Sequence, residues 1–331
     1  MSDAGAAADG GALRLLIASG GAGASIIDVT GGRPPDRAGL VRIGLHRQGR
    51  RPSNGLEPFD ILLSCERDAP APWVAASDPE AAAMALAERV AAQPVAATVA
   101  AQVLRVSERL SFDEALVQES IAYSMLLASE GFRAWRAANP PRDRPPDTAP
   151  RVAIHAADAA IELRLTRPAA RNAFDAAMRD ELAEAFEFAI EHPDQPPVVL
   201  CGAGPAFSAG GDLDEFGRAD DAGRAHLIRS LRSPARLAHA LGGRLTACLH
   251  GACVGAGIEV PAAAAHVTAR PGAFFRLPEV SMGLIPGAGG TASIPRRIGR
   301  HRACFMAISG ADIDVDLALA WGLIDALEPA P

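Results

Sequence analysis

The chain of 331 residues contains no lysine: its 32 basic residues are all arginine, set against 39 aspartates and glutamates for a net charge of -7. A nucleic-acid-binding domain is normally basic, and this balance argues against one. Long apolar runs are also missing. No stretch reaches the roughly 18 apolar residues that a bilayer-spanning helix needs, and the opening MSDAGAAADGG has neither the basic n-region nor the apolar h-region of a secretory leader. We therefore expect a cytoplasmic protein with no membrane or nucleic-acid partner. Cysteine is scarce: Cys65, Cys201, Cys248, Cys253 and Cys304 are odd in number, widely spaced and without paired metal-ligand spacing. They read as small buried residues, and no metal site is expected.

What is present is a core. Hydrophobic residues make up 49% of the chain and charged residues 21%, the balance of a globular protein. The clearest boundary is ANPPRDRPPDTAP, Ala138 to Pro150, where prolines and charges leave no regular element room to continue. It divides the chain into a small strand-containing region of unknown role (residues 1–77), a helical segment (78–137), a proline-rich linker (138–150) and an α/β unit (151–331). In the first region LRLLIASGGAGASIIDV and FDILLS read as short strands, with Val41 to Leu45 as another candidate. The turn Gly20 to Ser25 lacks a complete dinucleotide fingerprint and is expected to be a hairpin or loop. The helical segment opens with Asp78 as N-cap and Pro79 at the first helical position, and SFDEALVQESIAYSMLLASEGFRAWRAA keeps apolar residues at helical spacing. Beyond the linker, AIELRLTR alternates, AFDAAMRDELAEAFEFAIEH is an amphipathic helix, and PPVVLCGA and RLTACLHGACVG are buried strands. An α/β layered fold follows.

Two glycine-rich turns, GPAFSAGGDL (204–213) and HGACVGAGIEV (250–260), each follow a strand. Small residues let a backbone approach a ligand closely, and a helix starting just past the turn aims free N–H groups at it. Two such turns side by side could hold one oxyanion. Glu259 sits in the first turn of the helix opened by the second, where the helix dipole favours its ionised form. Glu279 lies in RLPEVSMGLIPGAGGT among Leu277, Pro278, Val280, Met282 and Leu284; a poorly solvated carboxyl has a raised pKa and suits proton transfer. His250 reads as a strand-end histidine bonded to backbone. Asp212 and Asp214 read as helix-start residues, and Tyr123, Trp73, Trp135 and Trp321 as core or interface residues.

From about Ala160 to Ala326 the chain resembles the enoyl-CoA hydratase/isomerase (crotonase) family, through LTRPAARNAF, AFSAGGDL, HGACVGAGIEV and LPEVSMGLIPGAGGT in the family's order. The resemblance implies a ββα-spiral core that binds an acyl-CoA thioester, with the thioester oxygen held by the N–H groups of Gly211 and Ala256, flanked by the substrate contacts Ala209, Gly210, Gly255 and Gly287. It implies Glu259 as activator of water, Glu279 as proton donor to the α-carbon, no cofactor beyond the coenzyme A of the substrate, and a homo-oligomer, trimer or hexamer. Both glutamates favour hydration of a trans-2-enoyl-CoA, as in fatty acid metabolism. Double-bond isomerisation, C–C bond hydrolysis, decarboxylation or a catalytically silent CoA-binding assembly partner are the alternatives.

Three departures matter. The second turn reads GAG where the family often has GGG. Ala169 stands where a lysine often meets CoA phosphates, leaving Arg167 or Arg171 as candidates. The chain stops at Pro331, where the family continues into a helical tail that covers the site, and residues 78–137 look similar to that tail, as in a circular permutant.

Overall fold

The computed structural model describes residues 23–29, 40–143, 147–157 and 159–328. Four short strands come first, β1 (Gly23–Asp28), β2 (Leu40–His46), β3 (Ile61–Ser64) and β4 (Val74–Ala75). They form one sheet in the order β1-β2-β3-β4, every neighbouring pair parallel. The Val41 to Leu45 candidate lies in β2 and FDILLS supplies β3. Gly23 to Ser25 open β1 rather than a turn, and the rest of the first glycine-rich stretch lies outside the described residues.

Four helices follow: α1 (Pro79–Ala92), α2 (Pro94–Ser107), α3 (Phe112–Leu127) and α4 (Glu130–Ala138). Their starts are where local chemistry puts them. The Asp78 carboxylate accepts from Ala81 N at 2.9 Å ahead of Pro79, and Ser111 with Glu114 closes a reciprocal capping box at the head of α3.

After the linker come β5 (Val152–Ala157), β6 (Ala160–Leu165), α5 (Ala176–Glu191), β7 (Val198–Gly202), α6 (Ala222–Leu231), α7 (Pro234–Ala240), β8 (Leu245–Leu249), β9 (Ala252–Val254), α8 (Ala256–Glu259), β10 (His266–Ala269), β11 (Phe274–Arg276), α9 (Gly290–Ile298), α10 (Arg300–Ser309), β12 (Ile313–Asp314), α11 (Val315–Trp321) and β13 (Ala326–Leu327). They build a six-stranded sheet, β13-β10-β8-β7-β6-β5, parallel except for β5, and a three-stranded sheet, β12-β11-β9. RLTACLHGACVG therefore is not one strand. It breaks at Gly251, whose φ of +56° and whose approach to Pro205 O would leave no place for a side chain, so β8 joins the large sheet and β9 the small one.

The three parts pack on one another. Asp60, beside β3, is 1% exposed and takes the Arg105 guanidinium of α2 on both oxygens at 2.7 Å. Arg300 at the head of α10 donates to Phe59 O and Glu57 O, and Arg302 to Trp73 O and Ala69 O. Buried arginines feeding main-chain carbonyls satisfy loop groups that would otherwise be costly. Trp73 and Trp321 are buried as expected, whereas Trp135 is half-buried. Among the cysteines only Cys253 and Cys304 are buried. Cys65 is exposed, because it follows the last residue of β3 into a surface turn.

Candidate active site

The three-stranded sheet brings the two acids together. β9 and β11 run parallel with Val254 opposite Arg276, and Gly255 N donates to Arg276 O at 2.9 Å. From that shared end one chain turns into α8, reaching Glu259, and the other into a 3-10 turn that starts at Glu279. A Cβ on Gly255 would stand 2.4 Å from Glu279 Oε1 and 3.7 Å from Glu259 Oε1. Both carboxylates thus converge over this residue, which holds φ +50° and must be glycine on both counts.

The two glycine-rich turns are zipped edge to edge. Ser208 N donates to Ala252 O and Val254 N to Ser208 O, and Gly210, at φ +91°, leaves its missing Cβ 2.8 Å from Val254 O. Gly211 and Ala256 consequently line the same cavity as Glu259 and Glu279. Ala256 is the first residue of α8, so its N–H has no intrahelical acceptor. The cavity measures about 920 Å³ and its apolar wall includes Leu116, Phe174, Phe216, Ile228 and Val260.

The two acids differ in what surrounds them. Glu259 is 2% exposed, and its Oε2 accepts from Ala288 N at 2.7 Å and Gly290 N at 2.9 Å. Burial raises its pKa to about 7, with the N–H groups of Ala288, Gly290 and Gly287 pulling the other way. Glu279 is 7% exposed and its Oε2 is buried with no hydrogen-bond partner among the described residues. Burial, and then the nearby Glu259 charge, hold its pKa well above the usual carboxylate range. Near neutral pH the N–H-held Glu259 is the member suited to be ionised and Glu279 the member suited to carry a proton.

Of the remaining candidates, Gly287 lines the cavity, while Ala209, Gly210 and Gly255 form the turns behind it. The arginines fall elsewhere. Arg167 is locked on Asp212 at 2.7 Å and near Asp175 at 3.4 Å, and Arg171 is exposed; neither lines the cavity. The cations at the cavity are Arg179, Arg218, Arg224, Arg229, Arg232 and Arg236. Asp212 and Asp214 do not start a helix: they pair with Arg167 and Arg142, and the next helix is capped by Asp221. His250 bonds through Nε2 to Gly204 O at 2.9 Å, as a strand-end histidine does.

Two site residues escape the sequence reading. Glu119 of α3 is 2% exposed and donors of Gly289 and Thr291 converge on it. Tyr123, one turn on, packs its ring on Gly287 under Arg229. Their signal was present: Phe112, Ala115, Glu119, Ala122 and Leu126 share the buried face of α3, so Glu119 is an acid in an apolar stripe, as Glu279 is.

The second half of the chain is similar to known proteins. The family model described as enoyl-CoA hydratase/isomerase matches residues 155–331. A mevalonyl-coenzyme A hydratase of Beauveria bassiana is 32% identical over 51% of this chain and 63% of its own length. A 2,3-dehydroadipyl-CoA hydratase of Escherichia coli K12 is 36% identical over 51% of this chain and 65% of its own. The chain thus spans somewhat less than two thirds of the length of the curated relatives it matches. The solved structure of an enoyl-CoA hydratase of Mycobacterium smegmatis superposes with a TM-score of 0.50 at 29% identity, over 54% of this chain and 70% of that one. With more than half of its length matched by the family model, the chain belongs to the enoyl-CoA hydratase/isomerase family.

Proposed function

We propose that the protein hydrates a trans-2-enoyl-CoA to the 3-hydroxyacyl-CoA. The observation that carries this reading is the convergence of Glu259 and Glu279 over Gly255, beside the N–H groups of Gly211 and Ala256. Ionised Glu259 removes a proton from water, whose oxygen adds to C3. The C2=C3 electrons pass to the thioester oxygen, and the N–H groups of Gly211 and Ala256 stabilise the enolate. Glu279 delivers its proton to C2 as the thioester carbonyl reforms, and transfer of the water-derived proton from Glu259 to Glu279 restores the starting state. The curated relatives cited above are both named as CoA-ester hydratases, which supports the substrate class.

We further propose that α1–α4 stand in for the family's C-terminal tail. The support is that α3 delivers Glu119 and Tyr123 to the cavity and Gly131–Phe132 of α4 abut Gly283, at the end of the Glu279 turn.

Incubation with crotonyl-CoA should remove the conjugated enoyl absorbance; failure to turn over any enoyl-CoA while CoA esters still bind would overturn the reading in favour of a silent CoA-binding protein. The pH profile adds a sharper check. The base works only when ionised, so kcat/KM should rise through about pH 7 as Glu259 loses its proton. The acid works only when protonated, so activity should fall again at more alkaline pH as Glu279 ionises. A flat profile would contradict the assignment.

The exposed Arg218 and Arg224 at the cavity edge are better placed than Arg167 or Arg171 for the CoA phosphates. Replacing either by alanine should raise KM by roughly 2- to 5-fold with kcat unchanged, as expected of an exposed charge pair. The effect should shrink as salt is added.

A further inference from the structure

The turn Gly287 to Thr291 is gripped from two sides by two carboxylates that take alternate N–H groups. Glu259 accepts from Ala288 and Gly290. Glu119 accepts from Gly289 at 2.7 Å on Oε1 and from Thr291 N and Thr291 Oγ1, each at 2.7 Å, on Oε2. The two acids reach the turn from distant parts of the chain, Glu119 from α3 ahead of the linker and Glu259 from α8. Gly290 has no room to adjust, since a Cβ there would meet Glu259 Cγ at 2.7 Å, and Gly289 holds φ +111° with its missing Cβ 2.4 Å from Ala235.

We propose that Glu119 is a positioning residue for the hydration reaction: by fixing the N–H groups of Gly289 and Thr291 it aims the alternating N–H groups of Ala288 and Gly290 at Glu259 and so holds the base over the reacting carbon. This rests on the hydratase reading. Glu119 has no position of its own in the chemistry, because both its oxygens are occupied by the turn. Its role is to make a glycine-rich segment, which would otherwise sample many conformations, present a single pair of donors. Two neighbours complete its setting. Ser120, the next residue of α3, is bonded by His226 and Arg229 of α6, which pins that helix at this height, and Tyr123 closes over Gly287.

Glutamine is the informative replacement. Both Glu119 oxygens face main-chain N–H groups, so whichever way the amide is turned, its NH₂ meets a donor and one contact is lost. Glu119→Gln should lower kcat on crotonyl-CoA roughly 10- to 100-fold with KM within about twofold, the cost of a small misplacement of the base. In a Glu259→Gln background the same change should cost less than about twofold, because a residue acting through Glu259 has nothing left to position. Glu119→Asp, which keeps the carboxyl group but shortens the reach, should fall between. Equal losses in the two backgrounds, or a loss confined to KM, would overturn the proposal.

Backbone hydrogen exchange reads the same idea without turnover. In Glu119→Gln the amides of Ala288 and Gly290 should exchange at least ~10-fold faster while those of β7 and β8 keep their rates. Glu162→Gln, on the half-exposed Glu162 of β6 paired with Arg164, should change neither. Unaltered exchange at Ala288 and Gly290 would overturn the proposal even in a protein with no hydratase activity, whereas inactivity of the parent with faster exchange in the variant would overturn only the assigned reaction.

Discussion

Glu279→Gln is expected to lose about a hundred- to ten-thousand-fold in kcat on crotonyl-CoA, the range for removing a positioned general acid, while KM and CoA-ester binding stay close to those of the parent. The same variant is expected to be more stable than the parent at neutral and alkaline pH. The side chain is buried and its Oε2 has no partner among the described residues, so the folded state binds the Glu279 proton more tightly than the unfolded chain does. At low pH the group is protonated in both states and adds no pH-dependent cost. As pH rises past the ordinary carboxylate range the unfolded chain gives up its proton first, and the fold must then hold a neutral acid or ionise it without water. The parent should therefore lose stability over the interval that opens just above the ordinary carboxylate range and runs up to the raised pKa of Glu279, and the glutamine variant, having nothing to ionise there, should lose less. Thermal melts of both proteins across that interval check the sign. A variant that melts below its parent throughout would show that Glu279 is ionised and paired in the fold, which contradicts its role as acid.

That trade between stability and activity explains why much of the site is legible from sequence. Glu279 among Leu277, Pro278 and Val280 breaks the rule that carboxylates avoid apolar company, and such a break marks function. The glycines of the two turns are equally readable, since a run of small residues after a strand means close approach. What is not legible is pairing over distance. Nothing in LTACLHGACV says that the chain changes sheets at Gly251; the reason is Pro205 O, some 46 residues earlier, standing where a side chain would be. Arg167 looks free beside a proline and two alanines until Asp212 and Asp175 are folded against it. Glu119 is readable as a misplaced acid, but its partners lie 170 and 172 residues away, and helical periodicity names a buried face without naming what covers it.

Residues 151–331 expressed alone are expected to be unstable and inactive, although they contain Glu259, Glu279 and both N–H-bearing turns. The reason is packing. Val99, Val103, Leu104, Phe112, Leu126 and Phe132 of α2, α3 and α4 are all buried in the common core, where α2 packs on α9 and α10, α3 on α6 and α9, and α4 on the turn that starts at Glu279. Burial of each such side chain is worth about 1.5–3 kcal/mol, and six of them compare with the whole stability of a typical domain, about 5–15 kcal/mol. Their removal would also strip Glu119 from Gly289 and Thr291, Tyr123 from Gly287, and Phe132 from Gly283, leaving the segments behind both acids without support. Supplying residues 1–150 as a separate chain should restore part of the activity if the two pieces associate, because the helices act through contacts and not through the linker. Solubility, melting temperature and crotonyl-CoA turnover of the fragment decide the matter. A soluble, cooperative and active 151–331 would mean that the helices before the linker are an appendage, and the proposal that they replace the family's tail would fall with that result.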